Sequence, residues 1–506
     1  MTVDGRPACT KMGVMSGGEW ASQRARKHPL RDWRQPLLTV AGMAVTVALV
    51  ALVDPTPGAL VLATVMAMTF GRNRLVTSWR GRAEAVILLP VIALATYGVA
   101  ELLRAIPVVG ALAYVAAIFL SIWLRRFGPM WRRIGSLIAL PFITLLIVPG
   151  GGAGTTPLAT VLFSLGALVV VVLLRLLAEV TRFIPRERRP SQQAAVGGAR
   201  AVPAAAAATP TAAGTPARPR RQSSLRPVAS TRMAIQMAVA LLVAILVGVL
   251  LFPQHITWVV LTAFLVNSGN RGRADVLYKS GLRILGAAAG TIAASALVIA
   301  EPHGNTVIVG PWLVVLLLVI LAVGMWLREW TYAAWALAMT LVITLLQGAV
   351  VPIPEGTGAV QIWLRVLAIV IGAAIGLAAA WFVLPVRSEN VVRGRVADAL
   401  AALGDFATDR SEASDEVLSA ALVGLDELAP PWRALERTTR WRVTARKPYE
   451  WMLRVHESAL LVRCIPELDS QSRRALGEAR RSVRDPQALG PALAALHEQL
   501  LAQVGE

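Results

Sequence analysis

Apolar runs of roughly helix length alternate with short polar or Pro/Gly-rich breaks along most of the chain. Twelve runs can be read. Six lie at about 37–53, 58–70, 85–100, 105–124, 134–149 and 157–178, and six at about 233–252, 256–266, 282–300, 307–327, 331–350 and 362–384. A helix needs about 20 apolar residues to cross the hydrocarbon core of a bilayer, and most of the runs come near that length. The pattern breaks in two places. The stretch from Pro185 to Arg232 holds alanine runs, many Arg and Ser, and seven prolines, a composition without helical periodicity that reads as a linker. Beyond residue 385, charged residues become frequent and apolar ones recur at helical spacing, as at Val392, Val396, Leu400, Leu403 and Phe406.

The pattern therefore predicts an all-α polytopic membrane protein with about twelve transmembrane helices in two six-helix halves. The expected order is a basic leader (1–36), a first membrane half (37–184), a linker (185–231), a second membrane half (232–385) and a cytosolic helical domain (386–506). The first 36 residues lack a short apolar core with a small-residue cleavage site, so no cleaved signal peptide is expected.

Composition agrees: 56% of the 506 residues are apolar and 16% charged, where a soluble domain carries roughly 25% charged. Disordered, collagenous and disulfide-rich secreted proteins are excluded. The net charge of +20 invites a nucleic-acid reading, which its distribution removes. From residue 385 on, 17 basic residues meet 18 acidic ones; before it, 33 meet 12. Those 33 fall almost wholly in the leader and in the connections after even-numbered spans, with Arg104 and Arg365 as exceptions. Basic loops stay cytoplasmic, so both termini, the linker and the tail are expected inside a cell membrane that the chain crosses many times. No nucleic-acid partner is implied.

The halves repeat. At an offset of 198, Pro55 meets Pro253, Thr64 meets Thr262 and Gly71 meets Gly269, and both segments then enter an Arg-rich loop. An even number of spans per half makes the two six-helix repeats parallel. The second span of each half is also the shortest. Paired short segments at matching positions point to a transport site; short tilted helices that thin the bilayer are the other reading.

The second half resembles the fusaric acid resistance (FUSC) family, the aromatic acid exporter group. The likeness rests on Trp258-Val-Val-Leu-Thr262-Ala263, then Gly269, then Arg283-Ile-Leu-Gly286-Ala-Ala-Ala-Gly290. Ala287 stands where the family usually has Thr, so a polar role for that Thr is not carried over. The clear match covers about residues 230–385, and the first half is similar only in layout. The resemblance implies an inner-membrane exporter of aromatic or other organic carboxylates.

Candidate site residues follow. Arg365 lies near the outer end of the last span, where an intramembrane Arg is a functional candidate unless it snorkels to the interface. Trp258 would stack on an aromatic ring or sit in the interfacial belt. Thr262 and Thr64 offer hydroxyls to a carboxylate or to their own helices, and Arg283 heads span nine from the cytoplasmic side. Arg72, Arg74, Arg271 and Arg273 either fix topology or form a cytoplasmic vestibule that concentrates anions. Gly286 with Gly290, and Gly372 with Gly376, have the spacing that brings helix backbones close. Arg104 and Glu101 read as a local ion pair, and His255 and His303, on the outer face, as sensors of external pH or as solvated loop residues.

No Gly-Lys-Ser/Thr run, His-Glu-x-x-His run or Gly-x-Ser-x-Gly elbow is present, so no ATPase P-loop, cofactor, metal or catalytic site is expected, and the chain reads as a non-enzyme. The expected function is export of small organic, chiefly aromatic, carboxylate anions through a pathway between the halves, driven by membrane potential or proton motive force. A non-transporting envelope scaffold acting through the tail is the alternative. Besides lipid and a small organic anion, the partners it allows are a second copy of the chain or an accessory export protein.

Overall fold

The computed structural model describes residues 34–72, 79–128, 156–181, 229–269, 272–300, 311–328, 331–350, 358–385, 388–438 and 448–505, with isolated positions between 130 and 142. Every regular element among them is a helix. Before the linker these are α1 (Arg34–Val53), α2 (Pro57–Arg72), α3 (Trp79–Ala105), α4 (Pro107–Trp123) and α5 (Pro157–Val180), with a 3-10 turn, Leu124–Phe127, closing α4. After it come α6 (Ala229–Leu251), α7 (Ile256–Asn267), α8 (Arg273–Ala300), α9 (Pro311–Leu327), α10 (Tyr332–Val350) and α11 (Gly358–Phe382).

Proline sets several starts. α2, α4, α5 and α9 each open on Pro, whose fixed φ and missing N–H suit the first helical position. At α5 the Thr156 hydroxyl also caps the helix, accepting from the Ala159 N–H at 3.1 Å. These helices fall on eleven of the twelve apolar runs. The leader, most of the run at 134–149 and most of the linker lie outside the described residues. Two expected boundaries move. α6 begins at Ala229, inside the expected linker, and α8 begins at Arg273, well before its apolar run. The early turns of α8 are polar because they meet the C-terminal helices, so a search for apolar residues alone passes over them.

Among the described residues, six helices are long and apolar enough to cross a membrane: Val86–Ala105, Pro107–Phe127, Val161–Val180, Ser230–Leu251, Arg273–Leu297 and Val360–Phe382. α1, α7, α9 and α10 are apolar but shorter. Large apolar side chains also face outward in stripes, as at Trp312, Val315, Val319 and Val323 on α9. A soluble monomer rarely exposes such continuous apolar surface, whereas lipid covers it without cost. The chain is thus a multi-pass membrane protein.

Close packing organises the second half around two seams. Where α8 meets α10, a Cβ added at Gly286 would collide with the Ala333 carbonyl, and one at Gly290 would lie 2.5 Å from the Leu337 carbonyl. Where α7 meets α11, a Cβ at Gly372 would collide with the Val259 carbonyl and one at Gly376 would lie 2.8 Å from the Asn267 amide. These four glycines sit where only a bare backbone fits. Between the halves, α4 packs on α6 and α9 on α1. The contacts are apolar: Tyr114, Val115 and Ile118 share a buried cluster with Met237 and Leu241, and Met43 shares one with Leu321 and Met325.

The aligned glycines Gly71 and Gly269 have different tasks. Gly71 lies within α2 against the Thr39 side chain, whereas Gly269 follows α7 with φ of 66°, a left-handed conformation that favours glycine.

The remaining helices, α12 (Ser388–Thr408), α13 (Glu412–Asp426), α14 (Ala429–Thr438), α15 (Pro448–Cys464), α16 (Ser470–Ser482) and α17 (Leu489–Gly505), enclose a core of their own. Val392, Val396, Leu400, Leu403 and Phe406 are all buried in it, as their spacing predicts. This bundle is tied to the start of α8. The Ser388 hydroxyl accepts from the Ala274 N–H at 3.0 Å, while the neighbouring Arg273 Nη2 donates to the Trp381 carbonyl at 2.8 Å and so ties α8 to the end of α11. Gly272, at φ of 123°, leaves room for Ser388: a Cβ there would lie 2.5 Å from its hydroxyl oxygen.

The seams make a direct prediction. Gly290→Val and Gly372→Val should each destabilise the protein by about 1–3 kcal/mol through overpacking. Gly281→Ala, on α8 but with nothing within 4 Å of a new Cβ, should be tolerated. Thermal melting in detergent with the recovery of monodisperse protein checks both.

Candidate functional site

The helix α7 has 12 residues, a length of roughly 18 Å, and the hydrocarbon core is about 30 Å thick. It is nonetheless set deep in the protein. Residues 258–264, Val266 and Asn267 are buried, with α6, α8 and α11 packed around the helix. Tyr114, Val115 and Ile118 of α4 belong to the same buried cluster, so both halves contribute to its surroundings. Polar atoms on α7 and its neighbours must therefore find partners within the protein, because lipid offers none.

Several find none among the described residues. At the start of α7 the guanidinium of Arg365 lies over the Trp258 ring, 5.1 Å from its centroid, and Nη1 donates to Thr344 Oγ1 at 2.9 Å. Its Nε is buried without a partner. His255, in the turn before α7, is also buried, with Nε2 unpartnered. Burial pushes its pKa down, the positive charge of Arg365 pushes the same way, and Gln361 offsets part of the shift. The imidazole is held neutral beside the cation. Further along, the Thr262 hydroxyl has no partner, and at the end of the helix Asn267 spends its amide N–H groups on the Ala263 and Gly376 carbonyls while Oδ1 stays unpaired.

A second buried cation lies on the other seam. Arg283 is 1% exposed; Nη1 donates to the Ala336 carbonyl at 3.3 Å, and Nε and Nη2 have no partner. Nε and Nη2 form the edge of a guanidinium that takes a carboxylate with two parallel hydrogen bonds. Thr340, one turn beyond Ala336 on α10, also has a buried, unpartnered hydroxyl. A desolvated cation with an open edge costs several kcal/mol, and an anion at that edge offsets the cost.

The sequence candidates thus separate. Arg365 and Trp258 come together, with Thr262 on the same buried helix. Burial removes Trp258, 1% exposed, from the lipid interface, so the belt reading does not hold for it. Arg283 does not head its helix; it lies ten residues, roughly 15 Å, inside α8. The Thr64 hydroxyl donates to the Leu60 carbonyl of its own helix at 2.7 Å. Arg273 is engaged by Trp381, while the Arg72 side chain, Arg74 and Arg271 lie outside the described residues. Arg104 and Glu101 form the expected ion pair at 3.1 Å. His255 is buried where the sequence suggests a solvated loop, because the turn folds back against α11; His303 lies outside the described residues.

Sequence reading misses His255, Thr344 and Asn267. The one signal for His255 and Asn267 is proximity to the Trp258–Thr262 motif; Thr344 has none, because it is brought in from a distant helix. Among the described residues no group of three or more His, Cys, Asp or Glu is placed to hold a metal ion.

The unpaired edge of Arg283 predicts the effect of removing it. Arg283→Met should leave thermal stability unchanged or raise it, by up to about 4 kcal/mol, as burial of an apolar chain replaces an uncompensated charge. A clear loss of stability would mark the Ala336 hydrogen bond as a structural tether instead.

No curated protein matches the chain. Residues 228–379 match the family model described as fusaric acid resistance protein-like. That segment runs from the start of α6 almost to the end of α11 and agrees with the span in which the motif residues lie. The likeness to fusaric acid resistance proteins is thus carried by the second membrane half, which holds α7, Arg283 and Arg365.

Proposed function

We propose that the protein exports small organic, chiefly aromatic, carboxylate anions across the cell inner membrane, with both termini and the C-terminal bundle on the cytoplasmic side. The observation that carries this reading is the Arg365–Trp258 pair, a half-buried guanidinium over a buried indole with its Nε left open. A guanidinium supplies charge and directed hydrogen bonds to a carboxylate, and an indole supplies a flat apolar wall for a ring. The family match supports an efflux role for the half that contains the pair.

The twelve-span arrangement as two parallel repeats belongs to the same proposal. It is supported by the matching order of helices around the linker and by the paired contacts α4 with α6 and α9 with α1. The pathway runs beside α7, where α4 of the first half meets the second. Arg283 is its second anion contact, deeper along α8. An anion leaving an inside-negative cell gains roughly 2.3 kcal/mol per charge per 100 mV, so membrane potential alone can drive the flux, and proton coupling is the alternative drive.

The test is benzoate efflux from proteoliposomes under an imposed potential. The expected result is electrogenic flux that Arg365→Ala lowers about tenfold or more, from loss of a desolvated cation–π and charge contact worth about 2 kcal/mol. Thr64→Ala should leave it unchanged, because that hydroxyl is already spent within its helix. Full flux in the Arg365→Ala protein would remove the pair from the pathway. No anion flux at all would favour the scaffold reading, for which the attachment of the bundle to α8 provides the foothold.

A further inference from the structure

The C-terminal bundle contains a cleft that nothing in the transport reading uses. It lies between the last turns of α12, the loop joining α15 to α16, and the face of α16, and its volume is about 500 Å³. Small-molecule sites fall in the range of about 300–1,000 Å³. Three arginines line it, Arg410, Arg473 and Arg480, against one carboxylate, Glu467, leaving two net positive charges.

The three arginines are held differently. Arg410 is fixed: Nη2 donates to the Val462 carbonyl at 3.1 Å, and the guanidinium lies over the Phe406 ring, 5.3 Å from its centroid. Arg473 pairs with Glu467 at 2.7 Å, but both side chains are mostly exposed, at 60% and 83%. Such a surface pair is weak and opens at little cost. Arg480 makes no hydrogen bond or ion pair with the described residues. Its Nη1 reaches across Gly404, where an added Cβ would lie 3.0 Å away, so the glycine is what lets the guanidinium enter the cleft. Ala407, Leu468 and Leu476 supply an apolar wall beside the charges.

We infer that this cleft is a binding site for a small organic dianion, either an aromatic dicarboxylate or an aromatic phosphate ester. Two net charges match a doubly charged ligand. The Arg410 and Arg480 guanidinia take its acid groups through charge-assisted hydrogen bonds, and the apolar wall takes its ring. The site also has a mechanical connection to the membrane half. Gly404 and Ser388 lie on one helix, α12, about 24 Å apart, and Ser388 is the residue bonded to the start of α8. An occupied cleft thus loads one end of a helix whose other end touches the transport half.

The test is calorimetric titration of the full-length protein in nanodiscs with phthalate, phenyl phosphate, inorganic phosphate and benzyl alcohol. In an Arg365→Ala background, which removes the proposed membrane anion contact, phthalate or phenyl phosphate should bind with 1:1 stoichiometry, and whichever is tighter identifies the acid group. Inorganic phosphate should bind at least tenfold more weakly and benzyl alcohol not at all. Arg480→Gln, at an exposed and unpaired position, should weaken binding about tenfold, while Glu467→Gln should tighten it. The inference is overturned by no saturable binding of either aromatic dianion, by binding indifferent to Arg480→Gln, or by binding lost in Arg365→Ala, which would place the ligand in the membrane region.

Discussion

Lipid satisfies no hydrogen bond and solvates no charge, and most of the second half follows from that constraint. A 12-residue helix cannot span the hydrocarbon core, so α7 must be enclosed by protein at both ends and on every side. Enclosure requires close approach, which Gly372 and Gly376 of α11 supply by exposing bare backbone to α7. The same approach seals in the polar atoms of Thr262, Asn267, His255 and Arg365. A short, enclosed helix with unspent donors and acceptors is therefore one physical feature seen from several positions.

The two guanidinia, Arg283 buried and Arg365 half-buried, are the costliest part of this arrangement. Each keeps one nitrogen on a protein oxygen, Arg365 on Thr344 and Arg283 on Ala336; Arg365 leaves Nε open, and Arg283 leaves Nε and Nη2. A site selected for stability alone would fill such positions with apolar side chains. Retaining the charge makes sense where an anion visits, and the indole beside Arg365 gives that anion a shape. Arg273 likewise leaves its Nε unpartnered, while its Nη2 holds the Trp381 carbonyl and ties the start of α8 to the end of α11.

Much of this was legible in the sequence because periodicity and composition report directly on burial. The apolar runs located the helices, and the α12 core residues from Val392 to Phe406 followed from spacing alone. Gly-x-x-x-Gly spacing marked both seams, although spacing cannot say which helix comes to meet the glycines. Contacts between distant segments were not legible. Thr344 reaches Arg365 from a different helix, and no local pattern joins them. His255 read as a loop residue because the fold that buries it depends on α11, more than a hundred residues away. Thr64 and Thr262 align in sequence, yet one hydroxyl is spent on its own helix and the other is unpaired, because backbone geometry and neighbours decide that difference.

The central claim is that α7 borders the route an anion takes, and access to Thr262 tests it most directly. Thr262→Cys would be introduced into a chain with Cys9 and Cys464 replaced by Ser, and reconstituted protein treated with a negatively charged thiosulfonate reagent. The account predicts modification of a side chain that is buried at rest, slowed when benzoate is present, and no modification of Thr64→Cys. A folded Thr262→Cys protein that stays unmodified, or reacts at a rate benzoate does not change, would contradict it.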